Sequence, residues 1–279
     1  MNNIILFATY WNEKEWIEKS LDQILKINPV EIIICDGNFD PRIENKSTDG
    51  TREIIEQFVK ENSNRARMIS AVRTKPLTRG IDFFLNAGRK DENIKPSRLS
   101  FALRSQFRIN EYRVNQALTF AKMMNMSKMW KEDRWVMSYD SDRFYSDELI
   151  EFFNICNKKT EYDLITADEW TFPNDLENYT DGYEKRKWNN MPHKIKENMA
   201  VYPTRHFMVE SMFSHKNYQD NFKRVHGGTY YHYKFRNDKA RLEAGYNLGD
   251  RKPPEDSRYS DLKKFELMHP KVIANYIKS

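Results

Sequence analysis

Residues 3–37 read NIILFATYWNEKEWIEKSLDQILKINPVEIIICDG, and the way this run alternates decides the fold. Asn3 to Thr9 is a short apolar run suited to a fully buried strand. Ile17, Leu21, Ile24 and Leu25 then recur at helical spacing with charge on the other face, and Pro29 ends the segment. VEIIICDG is a second buried strand closing on Asp36-Gly37. Further out, STDGTREIIEQFVKE turns Ile54, Ile55, Phe58 and Val59 inward, with Gly50 permitting a turn and Thr51 as the expected N-cap. ARMISAV predicts a third strand. Strand, helix, strand, helix, strand in that order argues for a parallel sheet with right-handed crossovers. Open α/β sheets bind ligands beyond the C-terminal ends of their strands. The loops after Thr9, Asp36 and Val72 are therefore expected at one edge, together with the turn at Asp140–Asp142.

The second half carries the same signals less regularly. NEYRVNQALTFAKMM is helical through Val114, Ala117, Leu118 and Ala121, and RWVMSY is the next strand. YSDELIEFFNIC predicts a helix with Ser146 as N-cap, YDLITADEWTF a strand ending near Asp168-Glu169, and GGTYYHYKF a late strand. KKFELMHPKVIANYIK reads as a terminal helix interrupted by Pro270. Residues 73–107 are irregular and rich in Arg, Lys, Asn and Pro, a length of loop that is usually functional or disordered.

Composition sets bounds. Of 279 residues, 39% are hydrophobic and 31% charged, and 17 Phe, 15 Tyr and 6 Trp can fill a sizeable core, which argues against wholesale disorder. The charge of +5, from 46 basic and 41 acidic residues, is too small and too mixed to argue for a nucleic-acid partner. Cys35 and Cys156 make neither a disulfide framework nor a metal-ligand spacing. No run of about 18 apolar residues occurs, so no transmembrane segment is expected, and the N-terminus lacks a basic region of the signal-peptide kind. The expectation is a cytoplasmic protein, with peripheral membrane contact left open.

The chemistry gathers at residues 135–142, WVMSYDSD. Two carboxylates this close repel each other unless a cation sits between them or water screens them. If strand geometry persists past Tyr139, Asp140 and Asp142 face one point, an oxygen-ligand pair suited to Mg²⁺ or Mn²⁺ with phosphate and water completing the shell. The alternative is a solvated acidic turn before a helix. Asp36 can accept from a ribose or a base imide, or simply stabilise the turn at Gly37. Asn12-Glu13 can serve a ligand or cap a helix. Arg113 and Asn115 lie on a helix running toward the Asp140 strand, where an Arg can pair with a diphosphate or merely face solvent. His232 can be a third metal ligand or a packed strand residue, with His226 a weaker rival.

Taken in order, ILFATYWNE, EIIICDG, STDGTREII, YRVNQAL and WVMSYDSD resemble family-2-type glycosyltransferases with the GT-A fold, over roughly residues 3–59 and 111–153. The resemblance implies that Thr9, Tyr10 and Glu13 cradle base and ribose and that Asp36 binds one of them. It implies that Arg113 approaches the diphosphate or donor sugar, with Asn115 also on the nucleotide side, that Asp140 touches the donor's ribose or sugar, and that Asp142 binds Mn²⁺ or Mg²⁺ together with Asp140. YYHYKFRNDKARLEAGYN is similar to a late element of some of these enzymes, and His269-Pro270 to a late His-Pro pair, which supports His232 as a metal ligand. The chain departs from the pattern at Trp11, an extra residue before Asn12, at the insertion 38–46, at 73–107, and at Lys234, where the family has glycine. The catalytic base of inverting members is an Asp or Glu; Asp168, Glu169 and Asp220 are the candidates.

The resemblance further implies an α/β GT-A fold, a mostly parallel central sheet flanked by helices. The transferase domain would span 1–235, with a nucleotide-binding half to about 143 and an acceptor half from 144, and a C-terminal helical extension would follow over 236–279. The implied activity is metal-dependent inverting transfer of a hexosyl or N-acetylhexosaminyl group from a nucleotide-sugar donor, UDP-sugar favoured, to a glycan, lipid-linked or protein acceptor. Trp170, Trp188, Tyr179, Tyr183 and Phe207 are candidates for stacking on sugar faces, or ordinary core. A nucleotidyltransferase is a rival, though ATYWNEKEW lacks the glycine-rich loop expected after its first strand. A noncatalytic nucleotide- or carbohydrate-binding module on the same fold is the other rival.

Overall fold

The computed structural model describes residues 3–40, 43–73, 111–131, 133–159, 161–173, 175–180, 191–195, 222–233 and 262–277, and of residues 111–114 and 275–277 the backbone alone. Its first half runs β1 (Ile4–Tyr10), α1 (Ile17–Ile27), β2 (Glu31–Asp36), α2 (Thr51–Glu61), β3 (Ala66–Ser70), α3 (Glu111–Met126) and β4 (Trp135–Asp140). There follow β5 (Arg143–Tyr145), α4 (Asp147–Cys156), β6 (Leu164–Thr171), β7 (Asn178–Tyr179), β8 (His193–Lys194), β9 (Arg224–His232), β10 (Lys263–Lys264) and α5 (Lys271–Ile277). Among the described residues the central sheet has the order β3-β2-β1-β4-β8-β6-β9-β5, and β10 pairs with β7 in a separate ribbon.

The pairs β1–β2, β1–β4, β2–β3 and β6–β9 are parallel. The short strand β8 runs antiparallel to both β4 and β6, and β5 antiparallel to β9. This is the mostly parallel sheet with flanking helices that the sequence predicts. Side chains alternate across each strand, and both faces are covered. Ile4, Leu6, Ala8, Ile32 and Ile34 meet Leu21 and Ile24 of α1, Ile55 and Phe58 of α2, and Leu149 and Phe153 of α4. On the opposite face Ile5, Phe7, Ile33 and Cys35 meet Ala117, Leu118, Phe120 and Met123 of α3. Each fully buried Ile, Leu or Phe contributes about 1.5–3 kcal/mol by leaving water, which explains why the strands read as continuous apolar runs.

Register places the site. Thr9 stands opposite Cys35 on one side and Asp140 on the other, and Tyr10 opposite Asp36. The ends of three neighbouring parallel strands therefore coincide at one edge, as expected.

Several local features differ from the sequence reading. The N-cap of α2 is Gly50, at φ 100°, and Thr51 is the first helical residue. The Thr51 hydroxyl instead accepts from the Glu13 amide at 2.7 Å, a tertiary use that outweighs its capping preference. Pro270 does not interrupt a helix but opens one: its carbonyl accepts from Ile273 and Ala274, and α5 begins at Lys271. Strand β6 runs to Thr171, past Asp168-Glu169. The residues after Asp142 form an unexpected strand, β5, before α4 starts behind Ser146, whose hydroxyl caps Leu149 as predicted.

Strand β5 has a side chain where a further strand would pair. Gln23 of α1 donates to the Tyr145 carbonyl at 3.2 Å and accepts from the Tyr145 amide at 2.9 Å, and its oxygen also accepts from Tyr139 at 3.2 Å. A third cluster joins Trp16, Phe144, Phe172, Tyr231, Tyr233 and Ile273, with Trp170, Tyr179 and Phe265 packed against it. Trp188, Tyr183, Phe207, most of the 73–107 insertion and residues 234–261 lie outside the described residues. Among the described residues no helix is long and apolar enough to cross a membrane.

Candidate functional site

The loop after β1 is zipped to the segment entering α2. The Asn12 amide donates to Ser47 Oγ at 3.0 Å, and Asn12 Oδ1 accepts from the Thr48 amide at 2.9 Å. The Lys14 amide donates to Asp49 at 2.9 Å. Asn12 takes a positive φ of 52° to make this turn, a conformation asparagine tolerates better than most residues. Of Asn12 and Glu13, it is Glu13 that reaches the aspartate turn: its carboxylate accepts from the Ser141 hydroxyl at 2.7 Å. Thr9 is half-buried at its strand end. Tyr10 points into the core, its hydroxyl 2.7 Å from Ser20 Oγ.

Asp36 is fully buried. Its two oxygens accept from the Ser47 amide at 3.2 Å and from Arg52 at 3.1 Å. The described residues of the insertion, 38–40 and 43–46, are tied down beside it. Arg73 donates to the carbonyls of Asn38 and Ile43, Asn45 donates to the Ala71 carbonyl, and Asn115, itself fully buried, donates to the Phe39 carbonyl at 2.9 Å. Asn115 thus fastens α3 to the insertion. The side chain of Arg113 and all of Asp220 lie outside the described residues.

At the aspartate turn the strand ends at Asp140, so Asp140 and Asp142 take different partners. Asp140 is 38% exposed and lies 3.5 Å from Arg143 Nε. Asp142 is 8% exposed and lies 3.0 Å from His232 Nε2. The other ring nitrogen of His232 is 2.5 Å from Glu169 Oε1. That same Glu169 oxygen accepts from Thr171 at 3.0 Å, while its second oxygen accepts from Tyr230 at 2.6 Å. Burial opposes a charged His232, but the flanking Asp142 and Glu169 outweigh it and raise its pKa above the ordinary 6.5. Burial likewise opposes the Arg143 charge and is outweighed by Asp140, Tyr230, Glu169 and Asp142. Burial lifts Tyr230 well above its ordinary value, so its phenol stays a donor to Glu169.

The cation that two adjacent aspartates call for is in part the chain's own. Arg143, three residues after Asp140, was not singled out by the sequence reading; a basic residue immediately after D-x-D was its signal. Gln23 and Tyr230 were missed as well, because their contacts span 122 and 61 residues of chain.

A divalent cation can be tested against this donor set. One Asp142 oxygen and His232 Nε2 stand 3.0 Å apart, about the spacing of adjacent ligands around an octahedral Mg²⁺ with bonds of about 2.1 Å. The far nitrogen of His232 meets a carboxylate, as metal-bound histidines commonly do. Among the described residues no group of three or more His, Cys, Asp or Glu side chains is arranged to hold a metal ion. Two protein donors suffice where phosphate and water complete the shell, so Asp142 and His232 fit such an ion.

Asp168 is 39% exposed, with His226 Nε2 3.7 Å away. Alternation puts it on the face opposite Glu169, the face that Asp140 also shares. Trp170 and Tyr179 pack on one another at 5.3 Å between ring centroids, and both meet Phe265.

No protein family matches the chain, and no curated protein does. Among solved structures it is similar to S. aureus TarS 1–349, at TM-score 0.44 and 14% identity over 90% of this chain and 67% of that one. It is similar to S. aureus TarS 1–349 in complex with UDP-GlcNAc, at TM-score 0.34 and 11% identity over 63% and 36%. It is also similar to S. aureus TarS, at TM-score 0.43 and 12% identity over 84% and 37%. The chain spans little more than a third of the last two.

Proposed function

We propose that this chain is a metal-dependent, inverting glycosyltransferase of the GT-A fold. It moves a hexosyl or N-acetylhexosaminyl group from a nucleoside-diphosphate sugar, UDP-sugar favoured, to a hydroxyl of a glycan, lipid-linked or protein acceptor. The observation that carries this reading is the meeting of Asp142 with His232, 3.0 Å apart, at the edge where β1, β2 and β4 end together. Two free, buried cysteines are in keeping with a reducing, cytoplasmic setting.

Bound by Asp142 and His232, Mn²⁺ or Mg²⁺ would supply positive charge to the departing nucleoside diphosphate. The chain's own residues do the rest. Asp140, half exposed and steadied by Arg143, accepts from a hydroxyl of the donor's ribose or sugar. Thr9, Glu13 and the loop over Asp36 form the base and ribose end; Tyr10 supports it through its carbonyl, which accepts from the Gly37 amide at 2.9 Å. Arg113 and Asn115 belong to the helix that covers this end. Of the three candidate bases, Asp168 is the described one open to an acceptor. Its carboxylate takes the acceptor hydroxyl's proton as that oxygen bonds to the anomeric carbon. The bond from that carbon to the diphosphate oxygen breaks on the opposite side, which inverts the configuration.

The test is a thermal-shift and turnover panel with UDP-, GDP-, dTDP- and CMP-sugars in the presence of Mn²⁺. One donor is expected to raise the melting temperature and be consumed. Nucleotide binding without turnover of any donor would instead favour the noncatalytic module, and indifference to every donor would remove the assignment.

A further inference from the structure

We propose that Glu169 is a positioning residue for His232: it holds the imidazole by its Nδ1–H and so presents Nε2, beside Asp142, to a divalent cation. This rests on the proposed function, and it gives the buried acid of β6 a role distinct from that of its exposed neighbour Asp168.

The argument begins with pairing. Strands β6 and β9 are parallel and in register, with Glu169 opposite Tyr230 and Thr171 opposite His232. Residues two apart share a face, so these four side chains form one patch whose spacing the sheet itself fixes. Each Glu169 oxygen has a fixed donor: Thr171 at 3.0 Å on Oε1 and Tyr230 at 2.6 Å on Oε2. The carboxylate therefore cannot swing away from the ring. An ionised carboxylate 2.5 Å from Nδ1 calls for a proton on that nitrogen, because two acceptors at that distance repel. Nε2, 3.0 Å from Asp142, carries a proton too while no cation is present. It is the nitrogen that would give its proton up to a cation, because Asp142 can share that cation whereas Glu169 is closed by Thr171 and Tyr230.

Burial separates this role from base catalysis. Glu169 is 4% exposed, whereas Asp168, one residue earlier, is 39% exposed. An acceptor hydroxyl would have to displace Thr171, Tyr230 or His232 to reach Glu169. Groups that orient a metal-binding histidine typically change metal affinity by about 10–100-fold when removed.

The experiment uses the full chain without any sugar donor. Mn²⁺ binding is followed by the loss of the free-ion electron paramagnetic resonance signal, for the wild type, Glu169→Gln and Glu169→Ala. Affinity is expected to fall about tenfold or more in E169A, and much less in E169Q, whose amide oxygen still accepts from Nδ1–H. Independently of any variant, ¹⁵N-histidine spectra of the wild type saturated with Mg²⁺ are expected to show His232 protonated at Nδ1 and bare at Nε2. If Mn²⁺ affinity is unchanged in both variants, or if the Mg²⁺-bound ring is bare at Nδ1, the positioning role is overturned while the proposed function stands. If the wild type binds neither ion even with UDP added to supply the phosphate ligands, the metal-dependent reading falls and takes this inference with it.

Discussion

Two buried glutamates stand at opposite ends of one sheet, and their surroundings separate architecture from chemistry. Glu31 opens β2, at the end away from the site. Its carboxylate accepts from Arg67, from the Ser127 hydroxyl, and from the amides of Lys128 at 3.1 Å and Met129 at 3.3 Å. Glu169 lies near the end of β6, and its neighbours are a threonine, a tyrosine and an imidazole that also faces Asp142. Burial pushes the Glu31 pKa up, but the bonds from Ser127, Arg67 and the two amides outweigh it and leave the value below the ordinary 4.5. Every Glu31 partner named here keeps its donor at any ordinary pH. The histidine beside Glu169 can exchange a proton for a cation. A buried acid closed off by permanent donors ties elements together, while one bonded to a shared imidazole can take part in ligand binding.

The largest effect that tests this contrast is expected at Asp142. Asp142→Ala removes one of two proposed metal donors, and turnover of the donor found by the panel should fall by about 10³-fold. The rise in melting temperature produced by UDP with Mn²⁺ should disappear, over and above any loss of stability from unpairing His232 in the unliganded protein. Retention of that rise would separate the aspartate turn from nucleotide binding. The converse substitution, Glu31→Ala, should lower stability by roughly 2–4 kcal/mol, read by urea unfolding, and leave turnover per folded molecule unchanged. The lower part of that range is favoured because Arg67, 28% exposed, can turn to water. The pH dependence gives a second reading. Because the folded pKa of Glu31 is depressed, its contribution is whole above pH 4.5 and is lost as pH falls through the folded value. Glu31→Gln should therefore flatten the acid limb of the stability curve.

The same contrast shows what can be read from residues in order and what cannot. The half of the sheet built from β1, β2, β3 and β4 was legible because each strand is a continuous apolar run and each connecting helix keeps its period. Parallel order then brings Thr9, Asp36 and Asp140 to one edge with no further information. In the other half only β6 and β9 were legible as strands, and nothing showed how they join a sheet. Strand β8 is two residues long, β5 three, and β9 joins β6 across more than fifty residues of chain. Nothing local to Glu169 announces that Tyr230 and His232 will stand against it. Nor does WVMSYDSD show that the strand stops at Asp140 and sends Asp142 to a histidine of its own. Thr51 and Pro270 failed for a related reason, since a side chain with a good local use was taken up by a distant partner or by the next element.

Gln23 tests whether the aspartate turn is held from behind as firmly as Glu31 holds its own end. Its amide meets both backbone groups of Tyr145 and the Tyr139 hydroxyl, so it brackets residues 140–144 on both sides. Gln23→Leu keeps the volume and strands these buried groups, a cost of roughly 1–3 kcal/mol. Stability should fall by that amount, and Mn²⁺ affinity should weaken with it because the turn loosens. A loss of stability with unaltered Mn²⁺ affinity would show that the turn is positioned by its other contacts, among them Glu13 and His232, and not by Gln23.

The smallest expected effect comes from a second histidine, which repeats the contrast in miniature. His232 sits between two carboxylates, but His269 sits between the Tyr233 hydroxyl at 2.8 Å and the Leu176 carbonyl at 2.9 Å. A carbonyl only accepts, so His269 Nε2 carries the proton and Nδ1 accepts from Tyr233. Burial lowers its pKa below 6.5, against the opposing bond to Leu176. The unfolded chain therefore binds this proton more readily than the folded one. The stability that His269 gives to the docking of the 262–277 segment is whole above pH 6.5 and is lost as pH falls through its folded value. Melting temperatures of the wild type should decline more between pH 7 and about pH 5 than those of His269→Gln, which does not titrate. Equal slopes for the two would show that the ring is not held neutral, and that its titration plays no part in docking the C-terminal segment.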